Sequence, residues 1–538
     1  MDTFVQETKP NNQAFKNEVS RRRTFAIISH PDAGKTTLTE KFLLYAGAVE
    51  LAGSVRARAN QQHTASDWMT MEKQRGISIS ATALEMEYQG YRINLLDTPG
   101  HQDFSEDTYR TLMAADSAVM VLDSAKGIEP QTEKLFRVCR LRGIPILTFI
   151  NKMDHPGRDP LALLDEIERM LGITAVPMNW PVGEAPSFQG VYDLVNNKML
   201  RFQRTEHNQF RAPVQVSGID DPALPELLGL APYDKLVEDV SLLSGVVSRF
   251  DRERFLAGSM TPVFFGSALN NFGVEAFLEA VLTLAPSPVI RETEQGTIDP
   301  TSAVFRGFVF KLQANIDPRH RDRMAFVRVC SGKFEKDMLV LNPRLKQHIR
   351  LSRAFKLFGR ERESVDEAFP GDVIGIISPG LLTIGDTVTT GKPIDFAKIP
   401  TFQPEHFALL INDDVTRFKQ FNKGLAQLEE EGTIQVLYSE DALRREPIVA
   451  AVGELQFDVV LTRLEEEYGV KAKVQRLGFI GSRWVTTAAG GAPERMFLPS
   501  GMRRCRDCHD KAVVLYSSKW ELDYFKKENP GLTLAEMS

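Results

Sequence analysis

The spacing of hydrophobic positions changes along the chain and divides it into three blocks. From residue 24 to about 284, short apolar runs alternate with segments whose apolar residues recur at helical spacing, for example 161–171 and 276–284. This alternation predicts a mostly parallel sheet with helices on both faces and ligand loops at the carboxyl ends of the strands. The stretch 182–259 breaks the rhythm and is interpreted as an insertion.

The second and third blocks follow different patterns. Short alternating runs punctuated by glycine predict a small β-barrel, and they lie at 305–310, 324–330, 338–341 and 372–376. Strand and helix patterns then mix, which predicts an α+β sandwich. Its strands are expected at 407–411 and 434–438 and its helices at 417–428, 455–468 and, in a less readable tail, 519–527. The predicted domain limits are 1–290, 291–395 and 396–538.

A phosphate-binding loop is predicted between a strand at 23–29 and a helix at 35–45. Backbone N–H groups of such a loop and the helix N-terminus surround a β-phosphate. Lys35 would reach the β- and γ-phosphates, and the Thr36 hydroxyl would be a ligand of Mg²⁺. Ser29 takes the place of the usual first glycine. The predicted nucleotide-binding residues here are Ser29, His30, Pro31, Asp32, Ala33, Gly34, Lys35, Thr36 and Thr37.

A second motif follows the predicted strand at 91–96 and consists of Asp97, Thr98, Pro99, Gly100 and His101. Asp97 would hold Mg²⁺, normally through a water, and the Gly100 N–H would face the γ-phosphate. Release of this loop on loss of the γ-phosphate would make the site a switch. His101 is interpreted as the catalytic residue that orients the attacking water, the alternative being a surface residue without a role.

Two further motifs indicate which base is bound. Asp154 can accept hydrogen bonds from guanine N1–H and N2–H₂, a pair of donors that adenine does not offer. Lys152 would lie over the base, Asn151 would tie its loop to the phosphate loop, and the Ala268 N–H would support guanine O6. The residues predicted to bind GTP at these strand ends are Asn151, Lys152, Met153, Asp154, Ser267, Ala268 and Leu269.

Ser78 completes the predicted metal site. It lies between the first two motifs, where a hydroxyl is expected to contact Mg²⁺ and the γ-phosphate; an ordinary strand serine is the alternative. The predicted metal ligands are Thr36, Ser78 and Asp97. The motifs together predict a GTP-hydrolysing switch with GTP/GDP and Mg²⁺ as cofactors, and the fold class is therefore a multidomain protein with an α/β P-loop GTPase domain first.

The composition of the chain indicates the class of protein and its cellular location. Of 538 residues, 25% are charged and 43% hydrophobic, as in ordinary globular proteins. The polar segment 1–23 has no signal-peptide pattern, and no run approaches the ~18 apolar residues that span a bilayer. We therefore expect a cytoplasmic protein with no membrane partner. Four cysteines argue against a disulfide framework. The string Cys505-Arg506-Asp507-Cys508-His509 matches a haem-attachment pattern but is interpreted as a surface loop.

A net charge of −6 argues against general nucleic-acid binding, and no DNA partner is expected. Basic residues nevertheless cluster in the second block, and either a solvated face or contact with an RNA backbone explains them. They are Arg319, Arg321, Arg323, Arg344, Lys346, Arg350, Arg353, Lys356, Arg360 and Arg362. The run Arg21-Arg22-Arg23 is interpreted as solvated.

The four motifs, with the string Arg75-Gly76-Ile77-Ser78-Ile79, resemble the translational GTPases, the superfamily of elongation factors G and Tu. Histidine after Asp-Thr-Pro-Gly is that superfamily's mark. Further along, the segments 421–425, 428–432 and 452–457 resemble the third domain of the bacterial peptide chain release factor 3 family. The elongation factors carry threonine at the position of Ser78, so the metal contact there depends on the shared hydroxyl.

This resemblance implies a ribosome-dependent GTPase of translation termination. Such a factor promotes dissociation of the codon-reading, class one release factor after peptide release and stimulates its recycling. The implied partner is the ribosome, through ribosomal RNA and proteins near its GTPase-binding region, and a monomer is expected. Elongation factor G has further domains after its third, and this chain is expected to lack them.

Two alternatives remain. One is another elongation factor G-like ribosomal GTPase that acts in ribosome protection or translocation. The other is a GTP-dependent binding module with negligible hydrolysis, against which His101 argues.

Overall fold

The structure is a computed structural model. It describes residues 13–47, 71–72, 78–183, 187–201, 214–293, 295–314, 323–358, 361–377, 380–396, 402–440, 446–487, 491–493 and 495–535. Of the sequence features above, 73–77, Arg319, Arg321 and Arg360 lie outside these residues, and only the backbone of Arg362 is described.

The first domain is built on a mostly parallel sheet, as predicted. Its strands are β1 Arg22–Ser29, β2 Thr82–Tyr88, β3 Tyr91–Asp97, β4 Ser117–Asp123, β5 Ile146–Asn151, β6 Thr174–Pro177 and, after the insertion, β11 Met260–Phe265. Their order is β2-β3-β1-β4-β5-β11-β6, and β2 alone runs antiparallel to its neighbour β3. Strands β1, β4, β5 and β11 are buried along their whole length because helices cover both faces.

The helices of this domain have identifiable start and stop signals. They are α1 Gln13–Ser20, α2 Lys35–Tyr45, α3 Ser105–Ala114, α4 Pro130–Leu141 and α5 Pro160–Leu171, with the 3₁₀ turn Gln102–Phe104 before α3. In α5 the Asp159 side chain accepts from the Ala162 N–H at 3.0 Å, Pro160 occupies the first turn, and Gly172 ends the helix at φ 66°.

Between β6 and β11, where an insertion is predicted at 182–259, the chain forms a small antiparallel sheet followed by helices. A four-stranded antiparallel sheet contains β7 Asn179–Val182, β8 Gly190–Asp193, β9 Lys198–Arg201 and β10 Val214–Ser217. Helices α6 Ala223–Leu228, α7 Leu230–Val246 and α8 Arg252–Leu256 follow it, and after β11 the domain closes with α9 Val274–Leu284.

The second domain is antiparallel, in agreement with the predicted barrel class. Its strands are β12 Arg291–Thr293, β13 Gly296–Ile298, β14 Arg306–Ala314, β15 Arg323–Ser331, β16 Phe334–Glu335, β17 Leu339–Asn342, β18 Gln347–Arg350, β19 Ala354–Phe358, β20 Glu361–Ser364, β21 Glu367–Ala368, β22 Val373–Ile377 and β23 Thr387–Thr389. Its main sheet has the order β18-β17-β23-β14-β15-β22-β19, and β19 pairs with β2, so the first and second domains share one continuous sheet.

The third domain is an α+β unit on an eight-stranded sheet. The order is β27-β24-β26-β25-β29-β30-β28-β31. The strands are β24 His406–Asn412, β25 Gln435–Ser439, β26 Pro447–Ala451, β27 Ala472–Leu477, β28 Gly481–Thr487, β29 Arg503–Asp507, β30 Ala512–Tyr516 and β31 Leu532–Ala535. The helices are α10 Phe418–Glu430, α11 Leu455–Tyr468 and α12 Lys519–Glu528, with a 3₁₀ turn at Val415–Arg417 before α10.

The interpretation of Arg21-Arg22-Arg23 as a solvated run is wrong for two of the three residues. Arg22 and Arg23 are 2% and 8% exposed. The Arg22 Nε donates to Asp372 Oδ1 at 2.8 Å, and the Arg23 Nε donates to the Leu282 carbonyl at 2.8 Å. These residues therefore join strand β1 to the second domain and to α9.

The cysteine pair is also corrected. Cys505 lies on β29 in the core, whereas Cys508 is exposed, and neither is part of a disulfide. Although the residue as a whole is exposed, partial desolvation of its thiol, together with the Glu429 carboxylate, raises the pKa of Cys508 to about 12. No group of three or more potential metal-binding side chains occurs in the part of the chain that the structure describes.

Three of the six side chains of the basic cluster that the structure describes are paired with acids. Arg344 contacts Asp386 at 2.6 Å, Lys356 contacts Glu85 at 2.7 Å, and Arg323 contacts Glu430 of α10 at 2.7 Å. Two of these pairs cross between domains, so they stabilise the arrangement of the domains. Among the described helices, none combines the length and the apolar character needed to cross a membrane.

Candidate guanine nucleotide site

The four predicted motifs lie at the carboxyl ends of β1, β3, β5 and β11, on one edge of the parallel sheet. The phosphate loop leads from β1 into α2 through Gly34, whose φ is +89°. A Cβ on Gly34 would lie 2.2 Å from the Asn151 side-chain nitrogen. Glycine is therefore required here for two reasons, the left-handed backbone and the close approach of the loop at 151–154, called the guanine loop below.

Lys35 and Asp97 form a buried ion pair. The Lys35 Nζ lies 2.6 Å from Asp97 Oδ1, and the side chains are 6% and 2% exposed. The Thr39 hydroxyl donates to the same oxygen at 3.3 Å. The pair brings together the ammonium predicted to reach the phosphates and the carboxylate predicted to hold the metal.

The predicted metal ligands offer hydroxyl and carboxylate oxygens, which are donors that suit Mg²⁺. Thr36 lies half-buried in the first turn of α2, and Ser78 is half-buried in the segment leading to β2. The Glu72 carboxylate holds that segment by accepting from the Ile79 N–H at 2.9 Å and the Ser80 N–H at 3.2 Å. Ser78 thus occupies a tethered position before β2.

The Asp-Thr-Pro-Gly-His loop packs against the phosphate loop. The Thr98 hydroxyl donates to the Ile27 carbonyl at 2.6 Å, and a Cβ on Gly100 would lie 3.5 Å from the Pro31 nitrogen. His101 then caps the 3₁₀ turn before α3, where its Nδ1 accepts from the Asp103 N–H at 3.3 Å. Its side chain remains 29% exposed.

Asn151 connects the guanine loop to its neighbours. Its Nδ2 donates to the Ala33 carbonyl at 2.8 Å, which is the predicted tie to the phosphate loop. Its Oδ1 accepts from the Ala268 N–H at 2.8 Å. That contact differs from the expectation that the Ala268 N–H supports guanine O6, because in this structure it stabilises the loop itself.

Asp154 is held in a buried position with one oxygen free. Its Oδ2 accepts from the Asn270 Nδ2 at 2.6 Å and lies 3.3 Å from the His155 Nδ1. Its Oδ1 is buried and has no hydrogen-bond partner among the described residues. Buried polar atoms are rarely left unpaired, so this oxygen suits a ligand donor such as a guanine N–H.

Lys152 has a left-handed backbone, with φ 68°, and its Nζ lies 2.8 Å from Asp123 Oδ2. Burial acts to raise the pKa of Asp123, but the hydrogen bonds from Lys152 and from the Ala125 N–H prevail and lower it. Asp123 therefore stays ionised and holds the lysine beside the guanine loop.

Sequence reasoning missed Asn270, Asp123 and Glu129 as neighbours of the site. Glu129 Oε2 lies 2.7 Å from the His30 Nε2 of the phosphate loop. Asp123 ends β4, so the strand-end rule that located the other motifs also applies to it. Asn270 and Glu129 lie in or next to loops and carry no comparable signal.

The comparisons with family models agree with the three-block organisation. Residues 20–287 match the model described as "Elongation factor Tu GTP binding domain", and residues 304–391 match "Elongation factor G domain 2". Residues 396–526 match "Class II release factor RF3, C-terminal domain".

Comparison with solved structures finds the same fold. A match to the crystal structure of a protein from Thermus thermophilus covers 90% of this chain and 72% of that protein. The TM-score is 0.68 at 23% sequence identity.

Curated relatives match along almost the whole chain. A protein from Gloeobacter violaceus named "Peptide chain release factor 3" is 54% identical, with 98% of this chain and 99% of the relative covered. Relatives of the same name from Acaryochloris marina and Microcystis aeruginosa are each 53% identical, with 97% and 99% of this chain and 96% and 97% of the relatives covered. The chain therefore belongs to the peptide chain release factor 3 family.

Proposed function

We propose that this protein is a ribosome-activated GTPase of translation termination. It promotes dissociation of the class one, codon-reading release factor after peptide release and stimulates recycling of that factor. The observation that carries this proposal is the guanine nucleotide site, with the buried free oxygen of Asp154, in a chain related over 98% of its length to a peptide chain release factor 3.

The GTP-binding residues are proposed to be those of the four strand-end motifs. Loop N–H groups and Lys35 bind the phosphates, while Asn151 and Asp154 hold and recognise the guanine base. The metal ligands are proposed to be Thr36, Ser78 and Asp97, with Asp97 acting through water. Bound Mg²⁺ would neutralise charge on the β- and γ-phosphates. For this binding mode Lys35 leaves Asp97 and turns to the phosphates.

His101 is the proposed catalytic residue. It directly follows Gly100, which packs on the phosphate loop, and its side chain is 29% exposed. The ribosome would place this imidazole against the attacking water. In other GTPases, supplying the missing catalytic group is worth about 10³–10⁵ in rate.

We expect His101→Ala to keep GTP binding and lose most ribosome-stimulated hydrolysis, because the phosphate contacts come from Lys35, Thr36 and backbone N–H groups. The measurement is GTP turnover with purified ribosomes, beside nucleotide affinity. His348→Ala, which removes an exposed imidazole on β18, is the matched control and should behave as wild type. Turnover of the His101 variant within a few-fold of wild type would remove His101 from catalysis.

The biological task is tested on ribosomes stalled at a stop codon with the peptide released and the codon-reading factor bound. Adding this protein with GTP should accelerate loss of that factor, measured by its fluorescence or by filter retention. If factor loss is unchanged and transfer RNA and messenger advance by a codon instead, the translocation alternative replaces this proposal.

The proposal extends to the domain limits and the setting of the protein. The limits 1–290, 291–395 and 396–538 follow the change from parallel to antiparallel sheet and the start of the third-domain strands. A monomeric factor working in the cytoplasm is the form that suits action on ribosomes.

A further inference from the structure

Asp103, two residues after His101, contacts the imidazole twice. Its backbone N–H lies 3.3 Å from His101 Nδ1, and its Oδ1 lies 3.2 Å from the same nitrogen. A neutral ring with a free Nδ1 lone pair accepts from the N–H, and a ring protonated on Nδ1 donates to the carboxylate. Asp103 can therefore hold the Nδ1 edge of His101 in either protonation state and leave the Nε2 edge turned away from it.

The second oxygen of Asp103 is held by the third domain. Asp103 Oδ2 accepts from the Leu455 N–H at 2.8 Å, at the N-terminus of α11, where a carboxylate also meets the positive end of the helix dipole. A Cβ on Gly453 would lie 2.0 Å from Asp103 Cγ. Glycine at 453 is therefore what allows the carboxylate to reach the helix end.

The segment from His101 to Arg110 contacts the third domain at a second point, two helical turns after Asp103. Arg110 of α3 donates from Nη1 to the Glu431 carbonyl at 2.9 Å and from Nη2 to the Gly432 carbonyl at 3.1 Å. A Cβ on Gly432 would lie 2.2 Å from the Arg110 Nη1. The absence of a side chain at Gly453 and Gly432 thus leaves room for side chains from the segment that carries His101.

We infer that Asp103 is a positioning residue for His101 and that the third domain sets its orientation through the Leu455 N–H. This inference rests on the proposed catalytic role of His101. Hydrolysis on the ribosome then requires the third domain to remain docked on the segment from His101 to Arg110.

The test measures kcat and KM for GTP at saturating ribosomes, with GDP affinity as the check on the nucleotide site. Asp103→Ala should lower kcat about 10- to 100-fold, as expected when a catalytic group is misplaced, and leave GDP affinity within about twofold of wild type. Asp103→Asn keeps an oxygen that can accept from the Leu455 N–H and should retain more activity than the alanine variant.

The double variant His101→Ala/Asp103→Ala separates positioning from a structural role. If Asp103 acts through His101, the double variant hydrolyses GTP no more slowly than His101→Ala alone. A further loss in the double variant would place the effect of Asp103 elsewhere and overturn the inference. Two other results would overturn the inference, provided that His101→Ala is inactive. One is a wild-type kcat for Asp103→Ala, and the other is a rise in the GTP turnover of Asp103→Ala without ribosomes. Full activity of His101→Ala would instead be the failure of the proposed function.

The contribution of the third domain is tested from its own side. Gly453→Ala leaves His101 and Asp103 chemically intact and should lower kcat with nucleotide affinity unchanged. The matched control is Gly478→Ala in the same domain, where a Cβ would meet nothing within 4 Å. Equal, wild-type kcat for both glycine variants would overturn the role of the third domain.

Discussion

At the scale of single residues, the two carboxylate oxygens of Asp154 have different roles. Oδ2 is fixed by Asn270, and Oδ1 is buried without a described partner. Holding one oxygen fixes the plane of the carboxylate, so the other is pre-oriented before a ligand arrives. Such preorganisation reduces the entropy lost on binding.

We expect Asp154→Asn to weaken GTP binding and shift preference toward xanthosine triphosphate. Asparagine can donate to the xanthine C2 oxygen, whereas aspartate accepts from the guanine amino group. Loss of a charge-assisted contact should cost about 1.5–3 kcal/mol. Competition between the two nucleotides measures the shift, and Asp165→Asn on the exposed side of α5 is the control. An unchanged preference for GTP would exclude Asp154 from base recognition.

At the scale of elements, a buried charge cluster joins the start of β4 to β12 and β15 of the second domain. Asp116, just before β4, contacts the Arg328 Nη2 of β15 and lies 3.1 Å from the Arg291 Nη2 of β12. Arg328 and Asp116 side chains are 1% and 0% exposed. Burial lowers the pKa of Arg328, and the Asp116 carboxylate acts in the opposite direction.

Asp116→Ala should lower the thermal midpoint strongly, because it leaves a buried guanidinium without its counter-charge. Breaking one side of a buried pair typically costs about 3–5 kcal/mol. Thermal unfolding followed by circular dichroism measures the effect. Asp523→Ala, which removes an exposed ion pair on α12, should change the midpoint little. Equal midpoints for the two variants would show that the cluster contributes no stability.

Elements with strong local signals could be predicted from the sequence, and long-range contacts could not. The helix at 455–468 has its predicted bounds because apolar spacing defines it and Gly469 ends it at φ 66°. The four-residue strands of the insertion are too short for alternation to show. The interpretation of Arg22 was wrong because its partner Asp372 lies 350 positions away in the sequence. The site motifs were readable because each follows a strand, whereas Asp103 had no local sign of its partner Leu455.

At the scale of the whole molecule, the first and second domains share a sheet and buried ion pairs, and the third domain attaches to the segment that follows His101. If GTP binding moves that segment, the attachment of the third domain changes with it. A ligand shifts such an equilibrium only by its differential affinity for the two states. We therefore expect the energy for ejecting a release factor to come from GTP binding, before hydrolysis.

We expect a non-hydrolysable GTP analogue to support ejection of the codon-reading factor while this protein stays on the ribosome. We expect hydrolysis to be needed only to return the protein to a state of low affinity for the ribosome. Co-sedimentation with ribosomes measures retention of both factors, and GDP is the control that supports neither result. If GTP ejects the factor and the analogue does not, ejection depends on hydrolysis or on a later step.

The shared sheet has a practical consequence for protein engineering. A fragment cut at residue 290 would leave Arg22 and Asp116 without their partners Asp372 and Arg328, and it would expose the edge of β2, which invites aggregation. A guanine-nucleotide-binding fragment of this chain therefore has to keep at least the first and second domains, residues 1–395, together.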